Sequence, residues 1–163
     1  MNALRIILLL VIATSPAHAQ DVVNIGAPAC KPGAHEPSQG PFGLFVFCDD
    51  ALGTNVALYV KDLGVPIAGP YDLGKRFWQG QKWSYDATSY AWLKDGRLLL
   101  ATSAVYGSGA VYLLDPETQK AKVVVDPQKG GCVLTLKSVT ETRAVAEATS
   151  CEQRKDYTVE FAI

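Results

Sequence analysis

The chain holds few groups able to do nucleophilic or acid–base chemistry. Its two histidines are His18 and His35, and the first belongs to a leader segment treated below. A Ser-His-Asp or Cys-His arrangement would therefore have to recruit His35, a residue of a Pro/Gly-rich loop that reads as solvated. A zinc or copper site is equally short of ligands, because the sequence has neither a histidine pair nor closely spaced cysteines. Carboxylates remain. Asp49 and Asp50 are adjacent, and paired acids hydrolyse glycosides when they stand across a cleft. Neighbours on a strand point to opposite faces, so the simpler expectation is that these two cap the turn before Gly53. A calcium loop drawn from Asp49, Asp50, Thr54 and Asn55 lacks the alternating ligand spacing of an EF-hand. Gly107-Ser-Gly109 reads as a hairpin turn and lacks the pattern of a phosphate-cradling loop. The sequence calls for no metal and no cofactor.

Recognition chemistry is concentrated in one place. Of 15 aromatic residues, seven fall between Tyr71 and Trp92, namely Tyr71, Phe77, Trp78, Trp83, Tyr85, Tyr90 and Trp92, and these include all three tryptophans. Lys75, Arg76, Gln79, Gln81 and Lys82 are interleaved with them. Aromatic faces beside amides and cations suit sugar rings or a protein partner, since Trp and Tyr offer large area at low entropy cost and keep a polar tip. The candidate binding residues are Lys75, Arg76, Phe77, Trp78, Trp83 and Tyr85. Phe77 and Trp78 would be exposed on the Gly74–Gly80 loop, with Tyr90 and Trp92 turned inward. If Asp86–Ser89 reverses the chain, Trp83 faces Trp92 and Tyr85 faces Tyr90 across a hairpin. The competing reading makes the whole cluster a core between sheets, and both stay open.

These residues must be set in their compartment. Arg5 is followed by the apolar run Ile6 to Ala13, and Ala17-His18-Ala19 supplies a small-x-small cleavage pattern. Residues 1–19 thus read as an export signal cut after Ala19, and residues 20–163 as a single domain. The apolar run is about half the length of a membrane-spanning helix, and the bacterial look of the leader suggests the periplasm. Arg5 is the leader's only charge, so residues 20–163 hold 14 basic and 16 acidic groups, a net charge of −2. That balance argues against a nucleic-acid or anionic-membrane binder, which needs a basic surface to release counterions. Cys30, Cys48, Cys132 and Cys151 all follow the leader, and an even number in an oxidising compartment predicts disulfides. Residues 132–140 and 143–151 read as strands joined by a turn at Glu141-Thr142. Facing residue numbers then total 283, which sets Cys132 opposite Cys151. Cys30 with Cys48 follows by elimination.

Short β-branched and aromatic runs separated by Gly, Asp and Pro predict an all-β chain. Residues 44–60 align without gaps on residues 98–114, each an apolar strand, a Gly-containing turn and a second apolar strand; residues 144–161 follow the plan loosely. Strands at Ser89–Leu93, Arg97–Ser103, Ala110–Leu114 and Lys120–Val125 make a four-stranded antiparallel meander. With its Lys94-Asp95-Gly96 turn and the run Leu114-Asp115-Pro116-Glu117-Thr118, this stretch, about residues 89–125, resembles the TolB-like, WD40-related β-propeller repeats. The resemblance implies about three blade-like units, with Val22–Ile25 completing the third beside the C-terminal strand. A β-sandwich or small barrel of ten to twelve strands remains the alternative. The function expected is that of an exported, non-catalytic binding or interaction protein, using the aromatic segment to contact a protein partner or an envelope glycan. The rivals are a small carboxylate-dependent glycan hydrolase, with Asp49 and Asp50 as its acids, and a structural module that assembles into a larger β ring.

Overall fold

The computed structural model describes residues 19–163 apart from 27–28, 38–39, 50–52, 69–84, 105–108, 126–131 and 151–154, together with the side chains of Asp49, Ala68, Tyr85 and Ala104. All regular structure among them is β. The strands are β1 (Val22–Asn24), β2 (Gly33–His35), β3 (Phe42–Asp49), β4 (Gly53–Val60), β5 (Val65–Ala68), β6 (Tyr85–Trp92), β7 (Leu98–Ala104), β8 (Val111–Asp115), β9 (Lys120–Val125), β10 (Val133–Val139), β11 (Arg143–Thr149) and β12 (Asp156–Ala162). The three predicted hairpins are β3–β4, β7–β8 and β11–β12, all antiparallel.

Two sheets result, and neither closes into a barrel. One is the meander β2-β3-β4-β5; the other runs β1-β6-β7-β10-β11-β12, with β8 and β9 branching from β7. The branch arises because β7 pairs with β8 only through Leu98–Ala101, then meets β10 at Ser103↔Val133. The chain is thereby divided into three meanders packed face to face: β2–β5, β6–β9 and β10–β12. Parity on the middle one shows this directly. Leu98, Leu100, Tyr112 and Leu114 join Leu44, Val46, Val56 and Leu58 in one core, while Leu99, Ala101, Val111 and Leu113 join Leu134, Leu136, Ala144 and Ala146 in another. Strands buried on both faces read as continuous apolar runs, as Leu98-Leu99-Leu100-Ala101 and Val111 to Leu114 do. Each fully buried leucine contributes about 1.5–3 kcal/mol.

Glycine is obligatory where these layers touch. A Cβ at Gly109 would lie 2.3 Å from the Thr102 carbonyl oxygen and 3.0 Å from that of Cys132, at the junction of β7, β8 and β10. Gly53 has φ +76°, and a Cβ there would meet the Asp86 carboxylate at 2.8 Å. That carboxylate accepts the Thr54 N–H at 2.5 Å, and the Thr54 hydroxyl donates to the Ile25 carbonyl at 3.0 Å. The acid serving the start of β4 is therefore Asp86. Asp49 ends β3 opposite Gly53, and Asp50 lies outside the described residues.

Three expectations are corrected. First, Asp86–Ser89 forms no turn. Tyr85 to Trp92 is one strand, with Tyr85 opposite Ala104 and Trp92 opposite Leu98, and a bulge between Ala87 and Ser89. Its polar residues are absorbed by neighbouring strands: Thr88 donates to the Leu134 carbonyl, and the Ser89 hydroxyl accepts the Leu136 N–H at 2.8 Å. Second, β1 pairs with β6 and not with the C-terminal strand, while Gln20 bridges to Val139 of β10. Third, facing pairs of β10 and β11 total 283 only near the turn; a bulge between Leu136 and Ser138 lowers the total to 282. The ladder ends at Val133↔Thr149, and the Cys132 N–H donates to the Thr149 carbonyl at 2.9 Å. Cys132 is nonetheless disulfide-bonded; its expected partner, Cys151, lies outside the described residues. The Cys30–Cys48 bridge forms, with Cα atoms 6.0 Å apart.

Candidate functional site

A cleft of about 960 Å³ opens between the first and middle meanders, where the chain enters β1, leaves β2 and passes through the β6–β7 and β8–β9 turns. Phe42 and Trp92 supply its aromatic walls, and Asp21, Glu36, Asp115 and Glu117 supply carboxylates. Strand alternation explains the placement of the aromatic pair on β6. Tyr90 and Trp92 share the face that packs on the first meander, and Tyr90, 4% exposed, belongs to the core itself. Trp92 is half-buried, and its indole nitrogen is buried with no hydrogen-bond partner among the described residues.

Behind this wall His35 sits in β2. Its Nε2 faces the Lys31 carbonyl at 3.3 Å, which makes Nε2 the donor and Nδ1 the acceptor of the Tyr90 hydroxyl at 2.9 Å. The rings meet edge to face, with centroids 5.8 Å apart. The expected solvated loop histidine is thus a half-buried strand residue that fixes Tyr90. Burial pushes the Tyr90 phenol up to about 12. Tyr59 donates to Glu36 at 2.6 Å, and burial, then that carboxylate, push its phenol up to about 12 as well.

The turn carboxylates are held in their ionised form. Asp95 accepts from Arg97 Nε at 2.8 Å and from the Arg97 N–H at 3.1 Å, and the guanidinium bond is the chief reason its carboxyl lies below the usual range. Asp115 accepts from the Thr118 hydroxyl at 2.7 Å and from the backbone N–H groups of Glu117 and Thr118; the hydroxyl bond is the first cause of its lowered pKa. Groups so held accept hydrogen bonds and do not donate protons. Lys94 on the β6–β7 turn is paired with Glu141 on the β10–β11 turn, both sides more than half exposed, which adds little stability.

Of the residues singled out in the sequence, Lys75, Arg76, Phe77, Trp78 and Trp83 lie outside the described residues. Tyr85 opens β6, and its side chain is among those not described. The cleft itself escapes sequence reasoning. Asp21, Glu36 and Glu117 come from three distant segments; the aromatic run ending at Tyr90 and Trp92 and the Asp95-Gly96 and Asp115 to Thr118 turns left a local signal. No group of three or more His, Cys, Asp or Glu among the described residues is placed to hold a metal. No protein-family model, curated protein or solved structure matches the chain.

Proposed function

We propose that the chain is an exported, non-catalytic binding or interaction protein of the periplasm, released from residues 1–19 and contacting a protein partner or an envelope glycan. Its contact surface is the aromatic-rich segment from Lys75 to Tyr85 together with the cleft lined by Trp92. The observation carrying this reading is the cleft, where aromatic surface lies beside Asp95 and Asp115, whose partners keep them ionised. Such walls stack on a sugar ring or apolar side chain and accept its hydroxyl or N–H groups. Glycoside hydrolysis asks instead for one carboxyl with a raised pKa, and Asp95 and Asp115 are both shifted the other way. A self-contained unit is also favoured over a blade ring. Lys137–Glu147 and Arg143–Glu160 ion pairs cover the third meander, where a stacking neighbour would need apolar surface.

The test uses two double variants, Phe77→Ala with Trp78→Ala, and Asp21→Asn with Glu117→Gln. Each is titrated with envelope glycan fragments and with envelope proteins while tryptophan fluorescence is followed. Binding should be lost at unchanged melting temperature. A parent protein that binds neither class, or variants that bind as tightly as the parent, would overturn the reading.

A further inference from the structure

We propose that the mature N-terminus is a pyroglutamyl group formed from Gln20. The inference rests on the export reading, since it requires cleavage after Ala19. Ala19 is exposed, whereas Gln20 is half-buried and is the first described residue tied to the fold, its backbone N–H donating to the Val139 carbonyl at 2.8 Å. Cleavage at that bond turns an anchored amide nitrogen into an α-amine at the edge of β10. Gln20 lines the cleft, and no described residue hydrogen-bonds its carboxamide. Nothing described in the fold therefore withholds its Cδ from the new amine.

The chemistry is complete within one residue. The α-nitrogen attacks Cδ; the N–Cδ bond forms, the Cδ–Nε2 bond breaks, and Nε2 leaves as ammonia with a proton given up by the attacking nitrogen. Closing a five-membered lactam is intramolecular and so has a high effective concentration. An α-amino group with an ordinary pKa of about 8 is roughly one-tenth free amine at pH 7, so the reaction needs no oxidant and no co-reactant. Its consequence falls on the cleft. The cationic terminus that processing would place beside Asp21 is removed, and the rim carboxylates lose a built-in counter-charge. A lactam terminus also offers no primary amine to an aminopeptidase.

The full chain with its own leader is expressed in an exporting bacterium, purified from the periplasm, and analysed by intact mass and N-terminal peptide sequencing. The expected product begins at residue 20, is lighter than the unmodified chain by one ammonia, and resists α-amine labelling. A Gln20→Ala variant should be cut at the same bond, show no mass loss and label fully. A chain that begins at Gln20 and keeps its full mass after incubation at neutral pH overturns the cyclisation and leaves the export reading standing. A chain that begins at another residue beyond the leader also overturns it. A chain retaining residues 1–19 overturns the export reading and this inference with it.

Discussion

Ser89 lies in the middle of β6 with no exposed surface, and its hydroxyl accepts the N–H of Leu136 at 2.8 Å. Backbone pairing cannot make this connection, because β10 meets the middle meander in register only at Val133↔Ser103. The serine hydroxyl therefore stands in for a missing ladder bond between the second and third layers. Ser89→Ala leaves the buried Leu136 N–H without that acceptor, and an orphaned buried donor costs about 1–3 kcal/mol. For a domain of this size that corresponds to a melting temperature lower by roughly 3–10 °C. Urea titration should show an earlier midpoint with an unchanged slope, since little surface exposure changes. Amide exchange gives a more local reading: protection at Leu136 should fall by about fivefold to about 150-fold, each tenfold corresponding to about 1.4 kcal/mol. Thr135→Ala, at a half-buried position on the same strand, should stay within about 0.5 kcal/mol of the parent. If Ser89→Ala matches the parent in midpoint and in Leu136 exchange, the hydroxyl is not what joins these layers.

Gly109→Ala should be more damaging, by more than about 3 kcal/mol, because the added methyl meets the Thr102 and Cys132 carbonyls on fixed strands; a folded variant with a parental unfolding midpoint would refute the close approach. Trp92→Phe should stay within about 1 kcal/mol of the parent, since the lost ring area is offset by removing a buried indole N–H that finds no acceptor among the described residues. Trp92→Ala should cost clearly more, which parallel chemical denaturation will show. Alkaline pH should destabilise the fold. The Tyr90 and Tyr112 phenols are raised by burial to about 12 from an ordinary 10. The unfolded chain therefore ionises first, and stability present below pH 10 is lost between about pH 10 and 12. Stability measured across that range, with phenolate absorbance followed in parallel, should show unfolding and ionisation together; ionisation of Tyr90 and Tyr112 themselves near pH 10 in the folded protein, assigned with Tyr90→Phe and Tyr112→Phe, would contradict the burial.

Why some of this could be read in the sequence and some could not follows from where each residue finds its partner. The three hairpins were legible because both strands of each lie within about 20 residues and repeat one apolar-turn-apolar plan. Runs such as Leu98-Leu99-Leu100 marked β7 as an apolar strand, but its burial on both faces emerges only when the three meanders pack. The segment Asp86 to Ser89 misled for a physical reason: Asp, Thr and Ser are turn formers because their side chains compete for backbone groups. Here the backbone groups they capture belong to Thr54, Leu134 and Leu136, at least 32 residues away, so polarity that reads locally as a turn serves as mortar between layers. The same distance hid the bulge at Lys137. β10 must satisfy β11 on one edge and reach β6 and β7 on the other, and a one-residue slip reconciles the two; the hairpin sequence alone contains only the first demand. The cleft is the extreme case. Its aromatic wall was visible as a local excess ending at Tyr90 and Trp92, but its carboxylates are brought together only when the first meander docks on the second. The Gly53–Asp86 contact and the His35–Tyr90 bond are two of the points at which that docking is fixed. Weakening either should loosen the cleft before it unfolds either sheet, because both contacts lie between the layers and neither belongs to a strand ladder.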